Sequence, residues 1–422
     1  VQELDILNAI RKNPKVNQRE IANQSGYSLG FVNRVVKELQ EEKWLSPSGE
    51  LTKKANTFIK ENQPQRAIIL AAGFGMRMVP INTEIPKGLM EVKGEVLIER
   101  MIRHLHEVGI TDIQVVVGFM KERYEYLIDE FQVKLVVNSE YQVKNNLHSL
   151  SKVKSSLDKT YIIPCDIWSE ENPFSDFEPY SWYMVTNEQS IESTVRVNRK
   201  RELVMIDETE EGNQMLGLSY LMGEEATLVQ EKLQEFSKKA SYDHEFWECT
   251  LQDKNKWIIP SKVVGLEQII EINTYEQLRE IDENSANLQT DAISIIQDCF
   301  NDFYHLLIHE STYGFQATCK EYEIYLKENQ EWQAYFLVAG RYASRGEYEK
   351  AIALFEKSFD LQPKPRYIDQ LESIAQLYLR MHQKNEAKHA YKRELQLLKE
   401  EWQQDDSADV QRVKALLAKC NG

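Results

Sequence analysis

Arg66-Ala67-Ile68-Ile69-Leu70 is a short apolar run that leads directly into Ala71-Ala72-Gly73-Phe74-Gly75-Met76-Arg77. Such a run, closed by glycine, reads as a strand buried on both faces of a parallel sheet. Gly73 and Gly75 let the backbone turn sharply and bring its N–H groups close to an anion, an approach that a Cβ would obstruct. Arg77 adds a planar fork of donors for phosphate oxygens, and Lys87, in Pro86-Lys87-Gly88-Leu89, adds a compact mobile charge. A Walker loop requires Gly-Lys-Ser/Thr at its end, and a dinucleotide fingerprint requires a third glycine that is missing here. The loop, its arginine and its lysine together point to a chain that handles a nucleoside triphosphate on an α/β sheet.

A length of 422 residues leaves room for two or three domains, each with its own core. The formal charge of -16 argues against nonspecific polyanion binding by the whole molecule, while leaving open a locally basic DNA-binding domain. Five cysteines, scattered and without C-x-x-C spacing, fit neither a disulfide framework nor a zinc site, so a reducing, cytoplasmic setting is expected. No apolar run approaches the roughly 20 residues that span a bilayer, and no signal peptide is read at the N-terminus.

Three segments are expected. Residues 1–62 show helical stripes, Leu4/Ile6/Leu7/Ile10, then Ile21/Ala22, then Phe31/Val32/Val35/Val36/Leu39 after the Gly26-Tyr27-Ser28 turn, followed by a small hairpin over 44–52. That order resembles a winged helix-turn-helix. The resemblance implies that the third helix enters the major groove and turns Ser28, Asn33, Arg34 and Lys37 towards DNA. A helical cap whose charges are merely solvated is the alternative. After the polar Asn62-Gln63-Pro64-Gln65 boundary, residues 66–283 alternate strands (Ile113–Val117, Leu135–Val137, Thr160–Ile163) with helices (Leu97–Val108, Glu122–Glu130), the pattern of a doubly wound sheet that binds ligands at the carboxyl ends of its strands. Residues 285–422 are expected to be all-α. Tyr335, Ala339, Tyr342, Gly346, Ala351, Phe355 and Pro363, and then Leu371, Ile374, Tyr378, Ala387 and Tyr391, resemble two tetratricopeptide (TPR) repeats, which implies a surface for a protein partner or for self-association.

Leu70-Ala71-Ala72-Gly73-x-Gly75-x-Arg77 with Pro86-Lys87 resembles the signature of the sugar-nucleotide pyrophosphorylase-like nucleotidyltransferases. Leu97-Ile98-Glu99-Arg100, Val117 to Glu122, Val137 to Tyr141 and above all Asn145-Asn146-Leu147-His148-Ser149-Leu150 are similar to the bacterial CTP:phosphocholine cytidylyltransferases within that superfamily. The resemblance implies attack of a phosphomonoester on the α-phosphorus of CTP with pyrophosphate leaving in line. It also implies that Leu70, Ala71, Ala72, Gly73, Gly75, Met76, Arg77 and Asn145 hold the nucleotide. Lys87 and Arg77 would be the catalytic cations. Asp166, just past the strand Thr160–Ile163, and Asn273 would hold Mg2+. At position 273 many relatives have aspartate. Asparagine retains the carbonyl ligand but not the charge, which leaves open weaker metal binding, a shift to Glu271, or a domain kept for binding alone.

A quaternary ammonium is held by aromatic faces, each contact worth roughly 0.5 to 2 kcal/mol. Trp182, Tyr183, Tyr220, Phe246 and Trp247 are the candidates the resemblance suggests, with Glu248 and Asp243 adding negative charge. Packing beneath the sheet is the competing expectation for each aromatic. Three functions therefore stand at this point: a cytidylyltransferase making CDP-choline or a close CDP-alcohol, a transcriptional regulator that senses a nucleotide or choline metabolite, and a sugar-1-phosphate nucleotidyltransferase.

Overall fold

The computed structural model describes residues 2–73, 85–142, 144–190, 193–207, 210–273, 277–278, 281–282 and 291–420, with backbone alone for 291–301 and 408. Helices α1 (Gln2–Lys12), α2 (Gln18–Ser25), α3 (Leu29–Glu41) and α4 (Lys53–Glu61) come first. Each start after α1 is set by a side-chain cap: Asn17 in a capping box with Glu20, then Ser28, then Thr52. Gly26 ends α2 at φ 71, a conformation that costs glycine nothing. Ile6, Leu7, Ile21, Val32, Val35 and Leu39 close the core, and the predicted hairpin is reduced to one bridge, Leu45 to Leu51.

A ten-stranded sheet follows, in the order β5-β4-β1-β6-β11-β8-β13-β10-β9 with β12 flanking β13. The strands are β1 (Arg66–Ala71), β4 (Asp112–Val117), β5 (Lys134–Val137), β6 (Thr160–Pro164), β8 (Trp182–Ser190), β9 (Val195–Val197), β10 (Glu202–Met205), β11 (Gly212–Leu221), β12 (Gln252–Asp253) and β13 (Lys256–Val264). Short pairs β2 (Glu91–Val92) with β3 (Glu95–Val96), and β7 (Ile167–Ser169) with β14 (Ile269–Glu271), lie outside it. β5, β4, β1 and β6 run parallel, whereas β11 is antiparallel to both β6 and β8, so the sheet is mixed.

Side chains alternate strictly across this sheet. Ala67, Ile69 and Ala71 face a core shared with α5 (Leu97–Glu107) and α6 (Tyr126–Phe131), while Ile68, Leu70 and Ala72 face one shared with α7 (Asn146–Ser151) and α8 (Gly223–Phe236). The chain leaves β1 towards β4 and β5 on one side and returns to β6 on the other. A topological switch point therefore lies at the carboxyl ends of β1 and β6.

Helices Asp291–Tyr313, Phe315–Glu328, Trp332–Ser344, Tyr348–Leu361, Asp369–Arg380, Lys384–Glu401 and Ala408–Lys419 form the C-terminal unit. Its core takes in Phe119 and Met120 of the sheet unit, so the two share one hydrophobic cluster. This changes the local structure expected near Glu122. Met120 adopts φ 51, Lys121–Tyr124 is a 3-10 turn, and the α-helix begins only at Tyr126. Lys121 and Glu122 are buried, with the Lys121 ammonium 3.3 Å from Glu372 Oε2 and 4.0 Å from Asp369 Oδ1. At the opposite side, α1 docks on the sheet unit. Asp5 accepts from Tyr27 (2.7 Å) and from Tyr180 and pairs with Arg201 at 3.3 Å, and Arg11 pairs with Asp176 at 2.9 Å.

Candidate functional site

At the switch point the ends of β1 and β6 diverge around a cavity of about 260 Å³. Leu70, Ala72 and Gly73 come from the end of β1, and Pro164, Cys165 and Asp166 from the end of β6. Gly118, opposite, lets Ala72 and Tyr141 close in, since a Cβ there would lie 2.7 Å from both Ala72 O and Tyr141 Cδ1.

One end of the cavity is ionic. Lys87, on the 3-10 turn Lys87–Leu89, makes a close ion pair with Asp166 Oδ2 and donates to Asn273 Oδ1 at 3.2 Å. Lys87 and Asp166 are nearly buried, with side chains 12% and 10% exposed, so the pair is only weakly screened. Asp166 Oδ1 is buried without a hydrogen-bond partner. Glu271, at the end of β14, lines the same end. The unpartnered Asp166 oxygen, with Asn273 and Glu271 beside it, makes this end an oxygen-rich one that suits a further cation.

The other end combines aromatic surface with a carboxyl. Phe246 is 59% exposed, whereas Trp247, although it borders the cavity, is buried in the α7/α8 core with its ring 6.2 Å from that of Tyr183, as the packing alternative expected. Asn146 Oδ1 accepts from the Trp247 backbone N–H at 2.8 Å, which ties this segment to the start of α7. Asn145 caps α7 and donates to His244 O at 3.0 Å, so its side chain braces the loop as well as lining the cavity. Glu248 Oε1 accepts from Tyr183 O–H at 3.0 Å, whereas Oε2 is sealed from solvent without a partner, although the residue as a whole is half-buried. Burial pushes the Glu248 carboxyl up to about 7.

Of the residues expected at the site, Leu70, Ala72, Gly73, Lys87, Asn145, Asp166, Trp247, Glu248 and Asn273 come together here. Gly75, Met76 and Arg77 lie outside the described residues. Ala71 points into the opposite core. Trp182 and Tyr220 require a correction. Both pack on the α5 side of the sheet with Tyr161, and the Trp182 indole donates to Glu178 at 2.7 Å, so the sheet itself separates them from the cavity. Tyr183 lies beneath the cavity, where its hydroxyl donates to Glu248 and accepts from the Gly217 backbone N–H at 3.0 Å, and its ring packs on Trp247. Tyr141 and Ser149, which fall within the cytidylyltransferase-like stretches without having been given a site role, and Lys144, next to Asn145 but not named, also line the cavity.

On the first unit, Asn33, Arg34 and Lys37 are exposed on α3. Arg34 stacks over Phe31 at 5.0 Å and lies 3.6 Å from Glu38, and Lys37 lies 3.7 Å from Glu41. Ser28 is exposed too, and its hydroxyl is engaged as the cap of α3. Residues 1–62 hold ten Lys and Arg against eight Asp and Glu, in contrast to the acidic whole. No helix among the described residues is long and apolar enough to cross a membrane.

The MobA-like NTP transferase domain family matches residues 67–169, and the winged helix-turn-helix DNA-binding family matches residues 2–45. A choline-phosphate cytidylyltransferase of Streptococcus pneumoniae is 32% identical over 53% of this chain and 99% of its own length. A 2-aminoethylphosphonate cytidylyltransferase of Lancefieldella rimae is 29% identical over 53% of this chain and 94% of its own. The solved structure of the CTP:phosphocholine cytidylyltransferase of S. pneumoniae superposes with a TM-score of 0.49 at 27% identity, over 52% of this chain and 98% of that one. A cavity at the switch point of a mixed sheet and a relative covered end to end place this chain among the cytidylyltransferases of the MobA-like NTP transferase family, as a nucleotidyltransferase that carries an N-terminal winged helix.

Proposed function

We propose that this chain transfers CMP from CTP to phosphocholine, giving CDP-choline and pyrophosphate. The observation that carries the acceptor assignment is Glu248. A carboxyl with one sealed, unpartnered oxygen sits beside Trp247 and the exposed ring of Phe246, in the same cavity as Lys87 and Asp166. An aromatic face next to a carboxylate suits a quaternary ammonium. A sugar 1-phosphate would instead leave that carboxyl without a cation.

In this reading a phosphocholine oxygen bonds to the α-phosphorus of CTP, and the bond from that phosphorus to the bridging oxygen breaks to release pyrophosphate. Lys87 exchanges its pairing with Asp166 for the α-phosphate oxygens, where charge accumulates. The Gly73 backbone and Arg77 hold the triphosphate, and Asn145 fixes the wall that carries Trp247. Asp166 and Asn273, with Glu271 close by, would hold Mg2+, which offsets triphosphate charge.

The test is pyrophosphate release with magnesium and each NTP in turn, against phosphocholine, 2-aminoethylphosphonate and glucose 1-phosphate. Release confined to CTP with phosphocholine is expected. Silence with every pair, in wild type and in Asn273→Asp alike, would overturn the enzymatic reading of this acceptor set.

The open outer face of α3 favours a second activity, sequence-specific DNA binding, with the sheet unit as its nucleotide-responsive partner. A gel shift on the chain's own promoter that Arg34→Ala weakens and CDP-choline changes would support it. A shift that responds to neither would rule out the coupling.

A further inference from the structure

Four consecutive residues, of which Tyr141 lines the cavity, are tied, one by one, to a single helix of the C-terminal unit. Beyond β5, Ser139 Oγ accepts from Gln376 Nε2, and Glu140 Oε1 lies 3.4 Å from Arg380 Nη2. Tyr141 O–H donates to Asp369 Oδ1 at 2.7 Å, and Gln142 Nε2 donates to Ser373 Oγ at 2.8 Å. All four partners belong to the helix Asp369–Arg380, which is remote in sequence and lies outside the MobA-like match.

Two of these ties continue into the cavity. The Tyr141 ring lines it directly. Glu140 Oε1 also pairs with Lys144 Nζ at 2.9 Å, and Lys144 lines the cavity one residue before Asn145. The ammonium of Lys144 thus stands between Glu140 and, at 3.9 Å, Asp243 Oδ1. Glu140 shares its charge with Arg380 and with Lys152, 3.7 Å away. Each cation supplied to Glu140 from outside loosens its hold on Lys144, leaving that ammonium free to turn towards a phosphate. Removing Arg380 tightens the hold.

We propose that the helix Asp369–Arg380 is a positioning element of the catalytic cavity. Asp369 fixes Tyr141, and Arg380, acting through Glu140, sets how readily Lys144 serves a substrate phosphate. The helical unit then acts on substrate affinity through its docking, and whatever displaces this helix weakens nucleotide binding. The inference rests on the nucleotidyl-transfer reading for its choice of substrate.

The test uses the full chain. Arg380 and Glu140 are partly exposed, at 33% and 24%, and such pairs contribute little to stability, so Arg380→Ala should remain folded. Calorimetric titration with CTP and magnesium should show Kd raised by up to about fivefold in Arg380→Ala, the limit set by a partly exposed ion pair. Arg380→Lys should recover most of it. Lys144→Ala should also weaken CTP, and adding Arg380→Ala to it should change nothing further. An unchanged Kd in Arg380→Ala, or effects that simply add in the double variant, would overturn the proposal. If wild type binds CTP yet releases no pyrophosphate with phosphocholine, the acceptor assignment falls while the Kd cycle still decides this inference. If wild type binds no CTP, both fall.

Discussion

Replacing Glu248 by glutamine isolates the feature on which the acceptor assignment rests. The carboxyl ionises at about 7 in the free protein against an ordinary 4.5, because burial disfavours its charge. That displacement corresponds to a penalty of roughly 3 kcal/mol for the ionised form. A quaternary ammonium requires the carboxylate, and kcat/KM reports the free enzyme. For phosphocholine kcat/KM should therefore climb with pH through about 7 and level off, with the value at pH 6 about a tenth of the plateau.

The acceptor's own phosphate also titrates near this range, so the rate must be read as a ratio. 3,3-Dimethylbutyl phosphate replaces the ammonium nitrogen by carbon and keeps the phosphate, which cancels in the quotient. The quotient of the two kcat/KM values should rise about tenfold between pH 6 and pH 8 in wild type. Glutamine keeps an oxygen to accept from Tyr183 but carries no charge. In Glu248→Gln the quotient should be flat and lie at or below the low-pH wild-type value, about tenfold or more beneath the plateau, because the charge that pairs with the ammonium is gone. A wild-type quotient that does not move with pH, or a Glu248→Gln quotient equal to wild type, would refute the assignment of Glu248 to the cation.

Three further outcomes follow from the same geometry. Because the folded Glu248 pKa lies above the unfolded one, the folded chain holds an extra proton between about 4.5 and 7; wild type therefore loses stability as pH rises through that window, and thermal melts should show Glu248→Gln the more stable at pH 8, by at most roughly 3 kcal/mol, with the difference gone near pH 4.5. Lys87→Ala removes the cation paired with Asp166 and should lower kcat about a hundredfold or more, and because it leaves that nearly buried carboxylate unpaired it should also lower the melting temperature, an effect that Lys87→Arg should largely spare. Gly118→Ala places a methyl 2.7 Å from Ala72 O and should cost roughly 1 to 3 kcal/mol in denaturant unfolding; the space-filling shift of Tyr141 should raise the KM for CTP in the same protein.

What could be read from the sequence divides along a physical line. The strand before Gly73, the lysine after Pro86 and the aspartate after Ile163 are local features, because each is set by where a strand ends and a loop begins, and the cavity gathers all three. The aromatics were ambiguous because strand alternation assigns a face only relative to a fixed register. Trp182 and Tyr183 are adjacent and both aromatic, so either could have faced the ligand, and the pairing of β8 with β11 is what sends Trp182 to the far side. Lys121, Glu140 and Tyr141 were hidden for another reason. Their environment is supplied by a helix more than 200 residues later, and no periodicity within residues 119–142 reports it. The residues that identify the chemistry are thus those placed by a local strand end or turn, even where, as for Lys87 with Asp166 and Asn273, the partner is distant in sequence. Those that couple the chemistry to the rest of the chain have distant partners, and only the folded arrangement of Asp369–Arg380 against Ser139–Gln142 brings that coupling to view.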